Sequence, residues 1–151
     1  MQAFKLTSGY DMPALGLGTW QLRGETCTNA VRTALDLGYN HLDTAEAYRN
    51  HEAIREALKG HDREKIFITS KIPPSKLRHD DVLAMGDRAL KELDVDYLDL
   101  LLIHWPNEEI PIVETLPAMA KLVKQGKVRS IGVSNFMVPH LEEALAVTEV
   151  P

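Results

Sequence analysis

The chain has 151 residues, of which 44% are hydrophobic and 26% are charged, a balance typical of one soluble globular domain with its own core. The formal net charge is −5, and no cluster of Lys and Arg is dense enough to follow a phosphate backbone, so the composition argues against a nucleic-acid partner. The longest apolar runs, such as residues 100–103, are far too short to span a membrane, and the residues after Met1 do not resemble a signal peptide. A single cysteine, Cys27, fits a reducing compartment. We therefore expect a cytoplasmic protein with no nucleic-acid or membrane partner.

The first half of the chain alternates short β-rich runs with helical runs. A hairpin is predicted from residues 4–6 and 12–14 around a turn at 8–11, followed by a first buried strand over 15–18. Apolar residues at helical spacing predict a helix over 25–37, and Gly38 suits the position after its C-terminus. A second strand is predicted over 41–43, a helix over 51–58 that ends at Gly60, and a third strand over 66–71.

The second half continues the same alternation. Helices are predicted over 80–93, 111–124 and 138–147, and strands over 97–104 and 128–134. No linker or low-complexity segment interrupts the pattern. Residues 1–151 are therefore predicted to form a single domain.

Strands that alternate with helices of this length predict right-handed βαβ crossovers and a parallel sheet. A doubly wound sheet has some support, because Gly16 and Gly18 lie at the end of the first strand and Asp43 ends the second, where a ribose-binding carboxylate would lie. However, the third glycine of a G-x-G-x-x-G motif is replaced by Gln21, and no helix begins at that turn. The sequence therefore favours a (β/α) barrel of the TIM type.

Nearly every predicted strand ends in a polar or reactive side chain. In a parallel sheet these ends share one rim, which is where barrel enzymes have their active sites. The residues are Thr19 and Trp20 after the first strand, Asp43 with Tyr48 in the following loop, Lys71, His104, and Ser134 with Asn135.

Four of these side chains form a proton-donating arrangement suited to carbonyl reduction. Hydride addition to a carbonyl leaves an oxyanion that needs a proton, and a free phenol, with a pKa of about 10, donates poorly near neutrality unless a neighbouring ammonium lowers that pKa. Lys71 would supply this charge to Tyr48, and Asp43 would keep Lys71 protonated and oriented. His104 would donate a hydrogen bond to the carbonyl oxygen and orient the substrate or relay the proton.

At these residues the sequence resembles the aldo-keto reductases, in particular the prokaryotic group that includes the diketogluconate reductases. The resemblance covers essentially the whole chain and follows five motifs in order. They are Gly16-Leu17-Gly18-Thr19-Trp20, Gly38 to Ala45 followed by Tyr48, Phe67 to Lys71, Asp96 to Pro106, and Gly126 to Phe136.

The resemblance implies reduction of aldehydes or ketones to alcohols with NADPH as the cofactor and NADH as the alternative. It implies Tyr48 as the general acid, completed by Asp43, Lys71 and His104, and no metal. Cofactor contacts are implied for Gly18, Thr19, Trp20, Asp43, Ser134 and Asn135, the last two holding the nicotinamide carboxamide. Substrate contacts are expected for Trp20, Tyr48, His104 and Trp105, although the two tryptophans fit a core plug as well as a pocket wall.

Some positions depart from the family pattern. His51 stands where the family usually has Glu, and Arg55 replaces a common Gly. After Lys71, where many members have an aromatic residue, this chain has Ile72-Pro73-Pro74, so no substrate preference is implied.

The chain ends before a sixth strand, whereas a complete barrel has eight units and roughly 250 residues. About five of eight βα units are therefore expected, with open sheet edges that favour self-association or pairing with a complementary chain. The alternatives to an active reductase are an inactive truncated barrel and a nucleotide-binding accessory module. Alone, the chain is expected to be weakly active or inactive.

The remaining chemistry-bearing residues are predicted to be structural. Cys27 lies on a helix without a nucleophile motif, and His41 begins a strand at the rim opposite the site. The other histidines lack ligand spacing for zinc, and the nearby acids look like turn and strand-start residues, so no metal site is predicted. These residues are His51, His61, His79, His140, Asp94, Asp96 and Asp99.

Overall fold

The computed structural model describes residues 2–147 and shows an α/β fold with a parallel sheet. Strands β1 (Ala3–Lys5) and β2 (Asp11–Pro13) form the predicted antiparallel hairpin, one residue earlier than expected. The next strands are β3 (Leu17–Gly18), β4 (His41–Asp43), β5 (Phe67–Ile72), β6 (Leu98–Ile103) and β7 (Val128–Val133). The helices are α1 (Gly24–Asp36), α2 (His51–Leu58), α3 (His79–Leu93), α4 (Ile112–Lys124) and α5 (Val138–Ala146). Short 3-10 turns occupy Glu46–Tyr48, Arg63–Lys65 and Pro74–Lys76.

The strand order decides between the two architectures left by the sequence. Strands β3, β4, β5, β6 and β7 lie side by side in chain order, and every neighbouring pair is parallel. A doubly wound sheet would reverse its strand order at a switch point. The fold is therefore of the (β/α) barrel type, as predicted, with β3 and β7 at the two edges of the described sheet.

Side chains alternate between the two faces of each strand, and the helices cover one face. Core residues on this face include Leu42, Ile68, Ile72, Leu101 and Ile103, all at most 2% exposed. They pack against apolar side chains of α1 to α4 such as Val31, Ile54, Val82 and Met119. Each such side chain stabilises the fold by about 1.5–3 kcal/mol. The opposite face presents Asp43, Thr69 and Lys71, which alternate with these core residues.

Helix α1 ends as the sequence predicts. Gly38 has φ of +90°, a left-handed conformation that glycine adopts without steric cost. Its N–H donates to the Leu35 carbonyl at 3.0 Å, and the Tyr39 N–H donates to the Ala34 carbonyl at 2.9 Å. These bonds satisfy helix-end carbonyls and turn the chain towards β4.

The prediction of a first buried strand over 15–18 is wrong. Only Leu17 and Gly18 form β3, and Leu15 is 50% exposed. β3 is an edge strand that pairs with β4 at just two positions, so it gains neither a second neighbour nor the burial of an inner strand.

At the start of β6, Asp99 forms a buried ion-pair cluster. One carboxylate oxygen accepts from Arg63 at 2.7 Å and from the Ile68 N–H at 2.9 Å, and the other accepts from Arg129 at 3.0 Å. Two guanidinium groups and a backbone donor offset the cost of burying this carboxylate. The strand-start position predicted for Asp99 is confirmed.

Cys27, on α1, is buried within the core.

Within residues 2–147, no helix is both long enough and apolar enough to cross a membrane.

Candidate active site

The carboxyl ends of β4 and β5 bring Asp43 and Lys71 together. The Lys71 ammonium donates to the Asp43 carboxylate and to the Thr44 carbonyl, the latter at 3.0 Å. Lys71 is 7% exposed, so its charge is removed from bulk water. The anion and the carbonyl dipole compensate this loss of hydration and fix the ammonium at the rim.

Tyr48 lies next to this ion pair because the 3-10 turn Glu46–Tyr48 follows β4 directly. The Lys71 Nζ atom is 5.3 Å from the centre of the Tyr48 ring. The His104 imidazole meets the same ring edge to face, with ring centres 5.7 Å apart and an interplanar angle of 77°. The four side chains predicted to act together therefore form one cluster.

His104 follows β6 and is anchored through its backbone. Its N–H donates to the Ile72 carbonyl at 2.9 Å, and its carbonyl accepts from the Asn135 side chain at 2.8 Å. Burial lowers the pKa of the imidazole below its ordinary value, the Lys71 ammonium lowers it further, and Asp43 partly opposes both effects. The imidazole is therefore neutral near neutral pH and can donate one hydrogen bond while keeping one acceptor nitrogen.

Ser134 and Asn135 lie where β7 ends, on the same rim. The Asn135 Nδ2 donates to the His104 carbonyl and, at 3.1 Å, to the Ser134 hydroxyl oxygen. Asn135 has φ of +60°, a left-handed conformation that asparagine tolerates better than most residues. This conformation directs the chain away from the strand and leaves the Asn135 side chain exposed.

The loop after β3 contains residues of opposite exposure. Thr19 is fully buried, and both its N–H and its hydroxyl donate to the Asp43 carbonyl, at 2.9 and 3.0 Å. Trp20 is 68% exposed, and Trp105, beyond His104, is 52% exposed. Neither tryptophan is a core plug. Gly18 pairs with Asp43, and a Cβ atom added to it would meet nothing within 4 Å.

Asn50 is a structural residue of the site that sequence reasoning missed. It is 2% exposed; its Nδ2 donates to the carbonyls of Thr19 and Leu22 at 2.9 and 3.0 Å, and its Oδ1 accepts from the Thr44 hydroxyl at 2.7 Å. It thereby joins the loop after β3 to residues on both sides of the 3-10 turn Glu46–Tyr48. The only sequence signal is an Asn just before a helix, which suggests a cap, yet its side chain makes no capping bond.

Two histidines have contacts that the sequence did not specify. His41, at the opposite end of β4, contacts the Pro13 carbonyl and the Thr69 hydroxyl at 3.1 and 3.0 Å, in agreement with the predicted structural role. His51 was predicted to be structural, without ligand spacing for zinc in the sequence, but the fold brings ligand-type residues close to it. It lies beside Glu46 and Glu92, with ligand atoms of all three within 4.8 Å of one another. The three residues come from separate elements, so their spacing in the sequence gives no sign of the cluster.

A model of the Aldo/keto reductase family matches residues 14–151. The chain belongs to this family. The glyoxal reductase of Bacillus subtilis (strain 168) is 43% identical to this aldo-keto reductase chain over 149 residues, which cover 97% of the chain and 54% of that protein. The chain thus spans about half the length of the curated relatives it matches.

Solved structures agree with the barrel-type fold of the aldo-keto reductase. A thermostable aldo-keto reductase in complex with the inhibitor epalrestat has a TM-score of 0.94 and 47% identity, covering 100% of this chain and 60% of its own. A putative 2,5-diketo-D-gluconic acid reductase B has a TM-score of 0.88 and 37% identity, over 95% and 51% of the two chains, which confirms the resemblance to that group. The Bombyx mori aldo-keto reductase in complex with NADP has a TM-score of 0.91 and 29% identity, over 99% and 55%.

Proposed function

We propose that this chain carries the proton-donating half of an NADPH-dependent carbonyl reductase that converts aldehydes or ketones to alcohols. The observation that supports this most directly is the meeting of Asp43, Lys71, Tyr48 and His104 on one rim. Buried charge, a phenol and a neutral imidazole in contact suit the reduction of a polar double bond better than hydrolysis, for which this cluster offers no activated nucleophile.

Tyr48 is the proposed general acid. As hydride reaches the carbonyl carbon, the carbonyl oxygen takes a proton from the Tyr48 hydroxyl, which is later restored from solvent. The Lys71 ammonium, 5.3 Å from the ring centre, stabilises the negative charge that then develops on the phenol oxygen. Asp43 accepts a hydrogen bond from that ammonium and fixes its position. His104 donates a hydrogen bond to the substrate oxygen, a role that suits its neutral imidazole.

The residues at the end of β7 fit a nicotinamide cofactor. With Asn135 Nδ2 already donating, Ser134 retains its hydroxyl hydrogen as a donor and Asn135 retains Oδ1 as an acceptor. A primary carboxamide presents the complementary pair, one carbonyl oxygen and one NH₂. NADPH, when bound, supplies the hydride, and the related Bombyx mori protein in complex with NADP supports this choice over NADH. Contacts from Gly18, Thr19, Trp20 and Asp43 remain predictions.

The proposed substrate is a small carbonyl compound, for which a dicarbonyl such as glyoxal is a natural first choice given the related glyoxal reductase. Trp20 and Trp105 follow Thr19 and His104 in the chain and are exposed, so we propose them as apolar walls for such a molecule. A substrate or another polypeptide segment that covered these exposed rings would bury apolar surface, which favours binding.

The test is NADPH consumption with a panel of aldehydes and α-dicarbonyls, comparing the chain with Tyr48→Phe and with a matched Tyr10→Phe control in the hairpin. Turnover that Tyr48→Phe abolishes and Tyr10→Phe preserves would support the assignment. Turnover that Tyr48→Phe leaves unchanged would contradict it. The assay is run beside a measurement of mass in solution, because self-association or pairing with a complementary chain also remains a prediction.

A further inference from the structure

Behind the Tyr48 turn, on the helix-covered side of the sheet, four charged or titratable side chains form a closed network. His51, only 2% exposed, lies at its centre. Its Nδ1 is 3.1 Å from Glu92 Oε2 and 3.8 Å from Glu46 Oε2, and its Nε2 is 3.1 Å from the Ser70 hydroxyl. The proposed reaction uses none of these groups directly.

Arg88 closes the network from the solvent side. Its Nε donates to Glu92 Oε1 at 2.6 Å, and its Nη1 is 3.1 Å from Glu46 Oε1. Each carboxylate therefore gives one oxygen to Arg88 and turns the other towards His51. The spacing of Glu46, His51 and Glu92 would suit a metal ion, but the guanidinium already provides the positive charge between the two carboxylates. We therefore interpret the cluster as a brace of ion pairs and hydrogen bonds.

The hydrogen positions on His51 follow from its neighbours. Nδ1 faces carboxylate oxygens, which only accept, so Nδ1 carries a hydrogen and donates to Glu92. Nε2 faces a hydroxyl, which both donates and accepts, so it is satisfied whether or not it carries a hydrogen. Glu46 Oε2 is buried and lacks a hydrogen-bond partner among the described residues. The Nδ1–H of His51, 3.8 Å away, partly offsets the cost of burying this oxygen.

The attachment points of this network flank the proposed chemistry. Glu46 begins the 3-10 turn that ends at Tyr48, and His51 follows Tyr48 by three residues. Ser70 immediately precedes Lys71 in β5 but faces the opposite side of the sheet. Between these points Arg49 has φ of +53°, so the chain reverses tightly around Tyr48. The network thus holds both ends of the Tyr48 turn against α3 and β5.

We propose that His51 is a positioning residue for Tyr48, acting through Glu46, Arg88 and Glu92 to set the phenol against Lys71 and His104. The consequence for catalysis rests on the proposed function, in which Tyr48 donates the proton. The geometric claim does not, because the position of the ring can be measured without turnover. A small displacement of such a group costs on the order of 10²-fold in rate.

The test is the NMR signal of the Tyr48 ring in protein labelled at tyrosine, assigned with Tyr48→Phe. The ring lies edge to face with His104, so its proton shifts report its position. We expect His51→Leu to move the Tyr48 signals and leave those of Tyr10, Tyr39 and Tyr97 in place. His51→Asn places an amide N–H near the Nδ1 position and should return the Tyr48 signals towards wild type.

Two further variants keep the test decisive if His51→Leu does not fold. Arg88→Gln releases Glu46 at a site that is 54% exposed, and it should move the Tyr48 signals in the same direction as His51→Leu. His79→Leu, the matched control, removes an exposed histidine that also contacts a carboxylate but lies outside the network, and should leave them unchanged. Unchanged Tyr48 signals in a folded Arg88→Gln or His51→Leu protein would overturn the proposal.

Turnover separates this proposal from the proposed function. If the chain reduces a dicarbonyl, His51→Leu should lower kcat by up to about 10²-fold with little change in KM, and His51→Asn should recover much of the loss. A fall confined to KM would overturn the positioning role. If Tyr48→Phe retains full turnover, the proposed function fails, whereas the NMR result still decides whether His51 positions the ring.

Discussion

Asp43 and Lys71 form an ion pair between two neighbouring parallel strands, and the two partners differ in burial: the Lys71 side chain is 8% exposed and that of Asp43 is 37% exposed. Removing the charge of the more accessible partner would therefore leave the more buried charge without its counter-ion, with the Thr44 carbonyl as a remaining acceptor. Replacing Lys71 instead removes the buried charge itself.

This asymmetry predicts the order of two stability changes. Asp43→Asn should lower the free energy of unfolding by about 1–3 kcal/mol, less than the 3–5 kcal/mol typical of fully buried pairs because water reaches Asp43. Lys71→Met should cost less, about 1 kcal/mol or below, because an apolar side chain of similar length fills the same space. Urea unfolding at neutral pH measures both. A larger loss for Lys71→Met would show that the ammonium is not stabilised by Asp43 in the way the contacts indicate.

The sequence could predict which strand-end side chains share the rim, and the physical reason is the same for each of them. Asp43, Lys71, His104 and Ser134 each lie at or just beyond the end of a strand, and parallel strands place these ends on one rim whatever the details of packing. Glycines such as Gly38 also marked helix ends, because a left-handed backbone is a local requirement that the sequence displays directly.

Contacts between distant elements were not predictable in the same way. His51 meets Glu92 because α2 packs beside α3, and Asn50 reaches Thr19 because the loop after β3 folds over the start of α2. Both contacts depend on tertiary packing rather than on spacing along the chain. The error at Leu15 has a related cause, since an apolar run predicts a buried strand only if another element covers it.

Stability should fall in mildly acidic solution, and His41 contributes to this. Burial is the largest effect and lowers the pKa of His41 below its ordinary value of 6.5; Lys71 acts in the same direction, whereas the Pro13 carbonyl, Asp43 and Asp99 oppose it. The unfolded chain therefore binds the proton more readily than the folded chain. The contribution of neutral His41 to the free energy of unfolding is fully present above about pH 6.5. It declines as the pH falls towards the lower folded-state pKa.

The measurement is the urea midpoint at a series of pH values from neutral to mildly acidic, for wild type and His41→Gln. His104, whose pKa is shifted in the same direction, should give part of the slope, so the variant should show a shallower decline rather than none. An identical slope in the two proteins would remove His41 from the explanation.

Asn50→Ala should destabilise the protein although it changes no charge. It removes three hydrogen bonds and leaves the carbonyls of Thr19 and Leu22 and the Thr44 hydroxyl with fewer partners. Because these groups are largely shielded from water, we expect a loss of about 2–4 kcal/mol. Asn50→Asp should not rescue it, since a carboxylate would face two carbonyl oxygens.

The matched control is Asn29→Ala on the exposed side of α1, where alanine has the better helix propensity and the change should stay within about 0.5 kcal/mol. Thermal or urea unfolding compares the two. If the free energy of unfolding changes by equal, small amounts at both positions, the Asn50 hydrogen bonds do not hold the loop after β3 to the 3-10 turn Glu46–Tyr48.

Helices α3 and α4 pack closely at Gly86, where an added side chain would meet Leu122. A Cβ atom added there would lie 2.6 Å from Leu122 Cδ1 and 3.1 Å from Cδ2. Leu122 is fully buried and has little room to adopt another rotamer. Gly86→Ala should gain about 1 kcal/mol of helix propensity but lose about 1–3 kcal/mol to overpacking, so the net effect is destabilising.

A double-mutant cycle with Leu122→Val isolates the cause. Valine lacks the terminal methyl groups that the new Cβ would meet, so Gly86→Ala should cost less, or even stabilise the helix, when Leu122→Val is already present. Thermal unfolding of the wild type, the two single variants and the double variant provides the coupling energy. If Gly86→Ala is equally unfavourable in both backgrounds, steric contact with Leu122 is not what requires glycine at this position, and the reason would lie in the backbone of α3.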